Sequence, residues 1–168
     1  MVEVCVVYDK VRFEEKALYD TAKKKGLKAQ IIDAKKITIN NASKRKTLQF
    51  GDVVLQRCIS HFRGLYLSAC LEFMGFMVIN KFKVGETCGN KLITSLTLAK
   101  SNVPTPKTHF AFSAESAIEV INTTGFPVVL KPIIGSWGRG VFPIRDEEVA
   151  NMIIEMRKEN DNPLSRIY

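Results

Sequence analysis

A parallel α/β sheet followed by a smaller α+β unit is the fold class that these 168 residues predict. Three observations carry it. Short apolar runs alternate with stretches of helical spacing through the first hundred residues, the pattern of strands joined by crossover helices. The stretch Val103-Pro104-Thr105-Pro106 then interrupts the chain where neither a helix nor a central strand can continue. Beyond it, a glycine-rich segment separates two short apolar runs, a hairpin with an enlarged loop.

The elements follow in order. Val2–Tyr8 is rich in β-formers and bounded by Asp9, and predicts a first strand, not a signal peptide, because no basic leader or small-residue cleavage site precedes it. From Val11 to Lys25, apolar Val11, Ala17, Leu18 and Ala22 recur at near-helical spacing, and Gly26 is a natural stop. Lys28–Asp33 reads as a second strand, and residues 35–49, polar and basic, as loop. Asp52–Gln56 is a short buried strand with Arg57 at its carboxyl end. Phe62–Met74 is helical to Gly75, and Phe76–Ile79 is a strand ending at Asn80. A helix near Cys88–Lys100 precedes the proline stretch, which places a domain boundary between residues 1–103 and 104–168. Next come a strand at Lys107–Phe112, a helix capped by Ser113 and stopped by Gly125, hairpin arms at Pro127–Lys131 and Val141–Ile144, and a helix capped by Asp146 and running to about Glu159. Arg166-Ile167-Tyr168 resembles a strand just beginning, so the chain is expected to be incomplete.

Composition narrows the function classes. Hydrophobic residues make up 46% and charged residues 25%, ordinary globular proportions that exclude a disordered or collagenous chain. No apolar run approaches the ~20 residues a membrane span needs. Cys5, Cys58, Cys70 and Cys88 stand far apart without a C-x-x-C pair or clustered histidines, which disfavours zinc and suggests a reducing cytoplasm. Residues 1–100 hold 18 Lys/Arg against 9 Asp/Glu, whereas residues 101–168 hold 7 against 8. Basicity therefore belongs to the N-terminal part, with runs at Lys23–Lys25, Lys35-Lys36 and Lys44–Lys46, and such a surface attracts something acidic. In a parallel sheet, ligands gather beyond the carboxyl ends of the strands, where Asp9, Arg57, Ser60, His61 and Asn80 fall.

The segment Val128-Val129-Leu130-Lys131-Pro132-Ile133-Ile134-Gly135-Ser136-Trp137-Gly138-Arg139-Gly140-Val141 bears the most chemistry. Glycines let backbone N–H groups turn toward an anion. Ser136 adds a hydroxyl donor, Arg139 a bidentate fork and Lys131 a point charge. The loop exceeds what a tight turn requires, and the chain's single tryptophan, Trp137, stands in it. No G-x-x-x-x-G-K-[ST] sequence is present, which disfavours a P-loop nucleotidase.

Lys131-Pro-Ile-Ile-Gly-Ser-Trp-Gly-Arg-Gly resembles the strand and loop of ATP-grasp carboxylate–amine ligases, within them the α-aminoadipate–LysW ligase (LysX) family. Asp52-Val-Val-Leu-Gln-Arg57 through Asn80, Gly89-Asn90-Lys91 and Val103-Pro-Thr-Pro106 are similar in order and spacing, so the likeness covers essentially the whole chain. It implies an N-terminal pre-ATP-grasp domain over 1–103, most of a central lid over 104–168, and a C-terminal catalytic domain beyond. It also implies that Lys91 and Lys131 bind nucleotide phosphates, with Gly135, Ser136, Trp137, Gly138, Arg139, Gly140 and Val141 as the loop over them. By itself, Lys91 reads only as a surface lysine near a helix start.

The reaction implied uses ATP and Mg2+ to activate the terminal glutamate side chain of the acidic carrier protein LysW as an acylphosphate, which the α-amino group of α-aminoadipate attacks. Glutamate as acceptor, or glutamate addition to a ribosomal protein, are alternatives within the same chemistry, and a nucleic-acid-binding module is the alternative outside it. Arg57, Ser60, His61 and Asn80 are the candidate substrate contacts. The family's magnesium carboxylates and catalytic residues correspond to none of these positions: Asp146, Glu147 and Glu148 read as a helix cap and first-turn acids. A homo-oligomer is expected, and the 168 residues alone are expected to be inactive.

Overall fold

The computed structural model describes residues 1–42, 49–160 and 162–168. The basic run Lys44–Lys46 lies outside the described residues. Two compact units result, Met1–Glu86 and Thr87–Tyr168.

The first unit is built on four parallel strands: β1 (Glu3–Tyr8), β2 (Lys28–Asp33), β3 (Val53–Gln56) and β4 (Met77–Ile79), in the order β2-β1-β3-β4. Cys5 lies opposite both Gln30 and Val54, and Val54 opposite Val78. Helices α1 (Phe13–Lys24) and α2 (His61–Phe73) make the crossovers. Strand β1 is buried along Val4–Val7, as a central parallel strand covered on both faces should be. Cys5, Val7, Val54, Leu71, Phe76 and Val78 form the core, and Phe50 meets Phe76 edge-to-face at 5.5 Å. Each fully buried valine or leucine there contributes about 1.5–3 kcal/mol. The chain reverses between β1 and β3, so the β1–α1 and β3–α2 loops flank the switch point where open sheets bind ligands.

The second unit holds α4 (Lys91–Lys100), α5 (Ala114–Thr124), the antiparallel pair β5 (Val128–Leu130) and β6 (Phe142–Ile144), and α6 (Glu147–Lys158). Its core joins Ala117 and Ile121 of α5 to Leu130, Ile144, Ala150, Ile153 and Ile154. Ser113 caps α5 by accepting from Ser116 N–H, and Asp146 caps α6 by accepting from Val149 N–H. Buried Arg157 donates through Nη2 to the carbonyls of Ser165 and Ile167 at 3.0 Å each and lies over the Tyr168 ring.

Three expectations change. The single helix expected over 88–100 is two: α3 (Phe82–Gly89) ends, and Asn90 starts α4 by accepting from Leu92 and Ile93 N–H. An asparagine after a glycine is a stronger start signal than the apolar spacing that crosses it. The boundary expected at 103 falls at 86/87, because the first residue of α4 bonds into the second unit, Lys91 N–H to Ile133 O at 2.7 Å. The strands expected at 107–112 and 166–168 reduce to one mutual pair, Ala111 and Tyr168, each donating to the other's carbonyl at 2.9 Å, while residues 163–166 form a 3-10 turn.

Candidate functional site

The glycine-rich loop leaves β5 at Leu130 and returns at Phe142. Two successive turns shape it: Arg139 N–H donates to Ser136 O and Val141 N–H to Gly138 O, both at 3.3 Å. At Gly140 the backbone has φ +69°, and an added Cβ would come within 3.4 Å of the Pro132 ring. Only glycine holds that position without strain. Trp137 itself has φ +62°, and its side chain is 77% exposed at the tip.

Lys91 reaches this loop. Its Nζ donates to Gly135 O at 2.7 Å, and Asn90 bridges Ile134 in antiparallel fashion. Burial first, and then the charge of Lys131, hold the Lys91 ammonium below the usual lysine range. The two ammonium groups therefore sense one another beside a segment of solvent-facing backbone, residues 135–140. Lys131, Ser136 and Arg139 are exposed around it. Two cations that repel one another, with glycine-freed N–H groups next to them, suit a polyphosphate, whose charge would satisfy both.

In the first unit, Ser60, His61 and Asn80 line one cleft of about 130 Å³ together with Gln56, Cys58 and Ser68. That volume holds the end of a polar side chain, since whole small-molecule sites measure roughly 300–1,000 Å³. Gly64 makes room for it: a Cβ there would overlap the Gln56 amide. Burial lowers the His61 pKa, favouring the neutral ring, and pushes the Cys58 thiol up to about 12, so it is no thiolate nucleophile. Arg57 does not join this cleft. Alternation along β3 turns it to the opposite face, where its Nε meets Glu15 Oε1 at 3.4 Å.

Glu15, fully buried, also accepts from Arg12: its backbone N–H at 2.9 Å, Nε at 3.1 Å and Nη2 at 2.7 Å. Asp9 ties the neighbouring loop, accepting from Ile59 N–H at 2.8 Å, Ser60 N–H at 3.0 Å and Arg63 Nη1 at 2.7 Å. Burial pushes both carboxyls upward, but the hydrogen bonds from these donors outweigh it and hold both below the usual carboxylate range. The sequence reading missed Glu15, although its place three residues after Arg12, at a helix start, matches the spacing of a capping box.

Among the described residues, no group of three or more His, Cys, Asp or Glu side chains could hold a metal ion. Asp146 is occupied with the cap of α6. The described carboxylates therefore form no magnesium site of three or more such ligands. No helix among the described residues is long and apolar enough to cross a membrane.

Comparison with known families assigns this architecture. Residues 4–87 match the LysX preATP-grasp domain, and residues 88–162 match the RimK-like ATP-grasp domain. The chain belongs to the ATP-grasp family of LysX and RimK. Over 160 residues this ATP-grasp chain is 38% identical to the α-aminoadipate–LysW ligase LysX of Sulfolobus acidocaldarius, covering 94% of the chain and 58% of that protein. It is 37% identical to the glutamate–LysW ligase ArgX of Sulfurisphaera tokodaii, covering 92% of the chain and 54% of that protein. The chain thus spans somewhat over half the length of the curated relatives it matches. The RimK-domain ATP-grasp protein of Sphaerobacter thermophilus superposes with a TM-score of 0.79 at 24% identity, over 93% of this chain and 58% of that one, a likeness of fold.

Proposed function

We propose that the protein is an ATP-dependent carboxylate–amine ligase. The observation that carries the reading is the bond from Lys91 Nζ to Gly135 O, which brings that ammonium to the exposed glycine loop. In the reaction, a carboxylate oxygen attacks the γ-phosphorus of ATP and ADP leaves. The amine then attacks the acyl carbon, phosphate leaves, and the amine gives up a proton as the amide forms. Lys91 and Lys131 hold phosphate oxygens, and Gly135, Ser136, Trp137, Gly138, Arg139, Gly140 and Val141 close over them and exclude water. Magnesium would neutralise phosphoryl charge in such chemistry. The described carboxylates do not form its site.

The carboxylate substrate is the terminal glutamate side chain of an acidic carrier protein, LysW, and the amine is that of α-aminoadipate. The 38% identity to LysX supports this pairing, and the 37% identity to ArgX makes glutamate the second acceptor. The basic balance of residues 1–100 supports an acidic protein partner. Ser60, His61 and Asn80 in their cleft, and Arg57 on the opposite face, are the substrate contacts proposed in the first unit. The exposed aromatic stripe Phe62, Tyr66 and Phe73 on α2 supports a homo-oligomer, and four free cysteines suit a cytoplasmic setting.

The test is a competition. With the full-length protein, LysW and ATP present, α-aminoadipate and glutamate are supplied in equal amounts and the carrier adducts are weighed by mass spectrometry. A mass increase of one α-aminoadipate residue on LysW supports the reading. ATP consumption without any LysW adduct overturns the carrier assignment.

A further inference from the structure

Lys91 engages the glycine loop through contacts that require no nucleotide. Three successive residues leaving β5 are tied to the start of α4: Ile133 O accepts from Lys91 N–H at 2.7 Å, Ile134 bridges Asn90, and Gly135 O accepts from Lys91 Nζ at 2.7 Å. Asn90 meanwhile caps α4 through Leu92 and Ile93 N–H, so the post to which the loop is tied is itself anchored. Past Gly135, the hydrogen bonds of the loop among the described residues are its own two turns, both long at 3.3 Å. The bond from Lys91 Nζ is therefore the last tie before six exposed residues, 135–140.

We propose that Lys91 is a positioning residue for the loop as well as a phosphate ligand: its ammonium straps the Gly135 carbonyl and holds residues 135–141 in place for the nucleotide. An ammonium has three N–H donors, and one bond to Gly135 O leaves two for phosphate oxygens, so the strap persists when phosphate binds. The purpose of the strap rests on the nucleotide reading above, whereas its existence does not.

The test is done without nucleotide and uses two reporters native to the loop. Arg139 is a trypsin site, and Trp137 is the only tryptophan in the chain. Lys91→Met should speed cleavage after Arg139 roughly fivefold, the scale of one lost charge-assisted hydrogen bond at a partly exposed site, and should lower the fluorescence anisotropy of Trp137. Lys91→Arg, which can still donate to the carbonyl, should restore most of both. Cleavage after Lys158 in the same unit controls for global opening: an equal rise at both sites overturns the strap, as does no change at Arg139. Should Lys91→Met fail to fold, Lys91→Ala replaces it, and the same rise at Arg139 is expected. An unchanged rate at Arg139 in that variant overturns the proposal. ATP added afterwards separates the two claims. A strap effect with no ATP response upholds the strap while the nucleotide reading falls, and an ATP response with no strap effect overturns the strap alone.

Discussion

Glu15 shows what a single buried acid does in this molecule. It has no contact with solvent, and both its oxygens are occupied by Arg12, with Arg57 approaching one of them. Breaking such a pair leaves a guanidinium half-buried without its partner. Glu15→Gln should cost about 1–3 kcal/mol, read as a lower urea midpoint with unchanged slope. The pH dependence follows from the direction of the shifts. Asp9 and Glu15 are both held below their ordinary values of 3.8 and 4.5, so the unfolded chain takes up protons first as pH falls. Their contribution is complete above about pH 5 and is lost as pH drops below 4 through the folded values. In Glu15→Gln, the fall in stability between pH 5 and 3 should be shallower than in the wild type, and an identical fall would show that Glu15 takes no part. Gly64→Ala is the steric counterpart: its new Cβ would overlap the Gln56 amide, and a loss of about 1–3 kcal/mol is expected in the same measurement.

Among the elements, local chemistry decided which parts were legible in the sequence. Ser113 and Asp146 announce α5 and α6 because a cap needs only the next three residues to do its work. The parallel strands are equally plain, since β1 and β3 are short apolar runs between polar ends. The pairing of Ala111 with Tyr168 was not legible in the same way, because it depends on the 56 residues of intervening chain and on Arg157 holding the carbonyls of Ser165 and Ile167. In the candidate site, the glycine loop and Lys131 stood out by composition. Lys91 came only through family likeness, since its bond to Gly135 O spans 44 positions. Arg57 was grouped with Ser60 and His61 by position, yet strand alternation sends it to the other face. Asn90→Ala tests the break between α3 and α4. Removing the two cap bonds should cost about 1 kcal/mol and raise amide exchange in the first turn of α4, with α5 unchanged.

At the scale of the whole molecule, charge and chemistry are divided between the two units. The basic excess lies in residues 1–100, and the glycine loop with Lys131 lies beyond it. Association with an acidic protein should therefore be salt-sensitive, weakening about tenfold between 50 and 300 mM salt, whereas ATP binding at the loop should weaken less. A pull-down of LysW across that salt range checks this.

The most direct test of the central claim is calorimetric titration of ATP into the wild-type chain and into Lys131→Ala, Lys91→Ala and Lys158→Ala. Either of the first two substitutions should weaken binding about tenfold or more, while Lys158→Ala, at the far end of α6, should stay within about twofold. Equal small effects at all three lysines, or ATP binding that ignores Lys91 and Lys131, would contradict it.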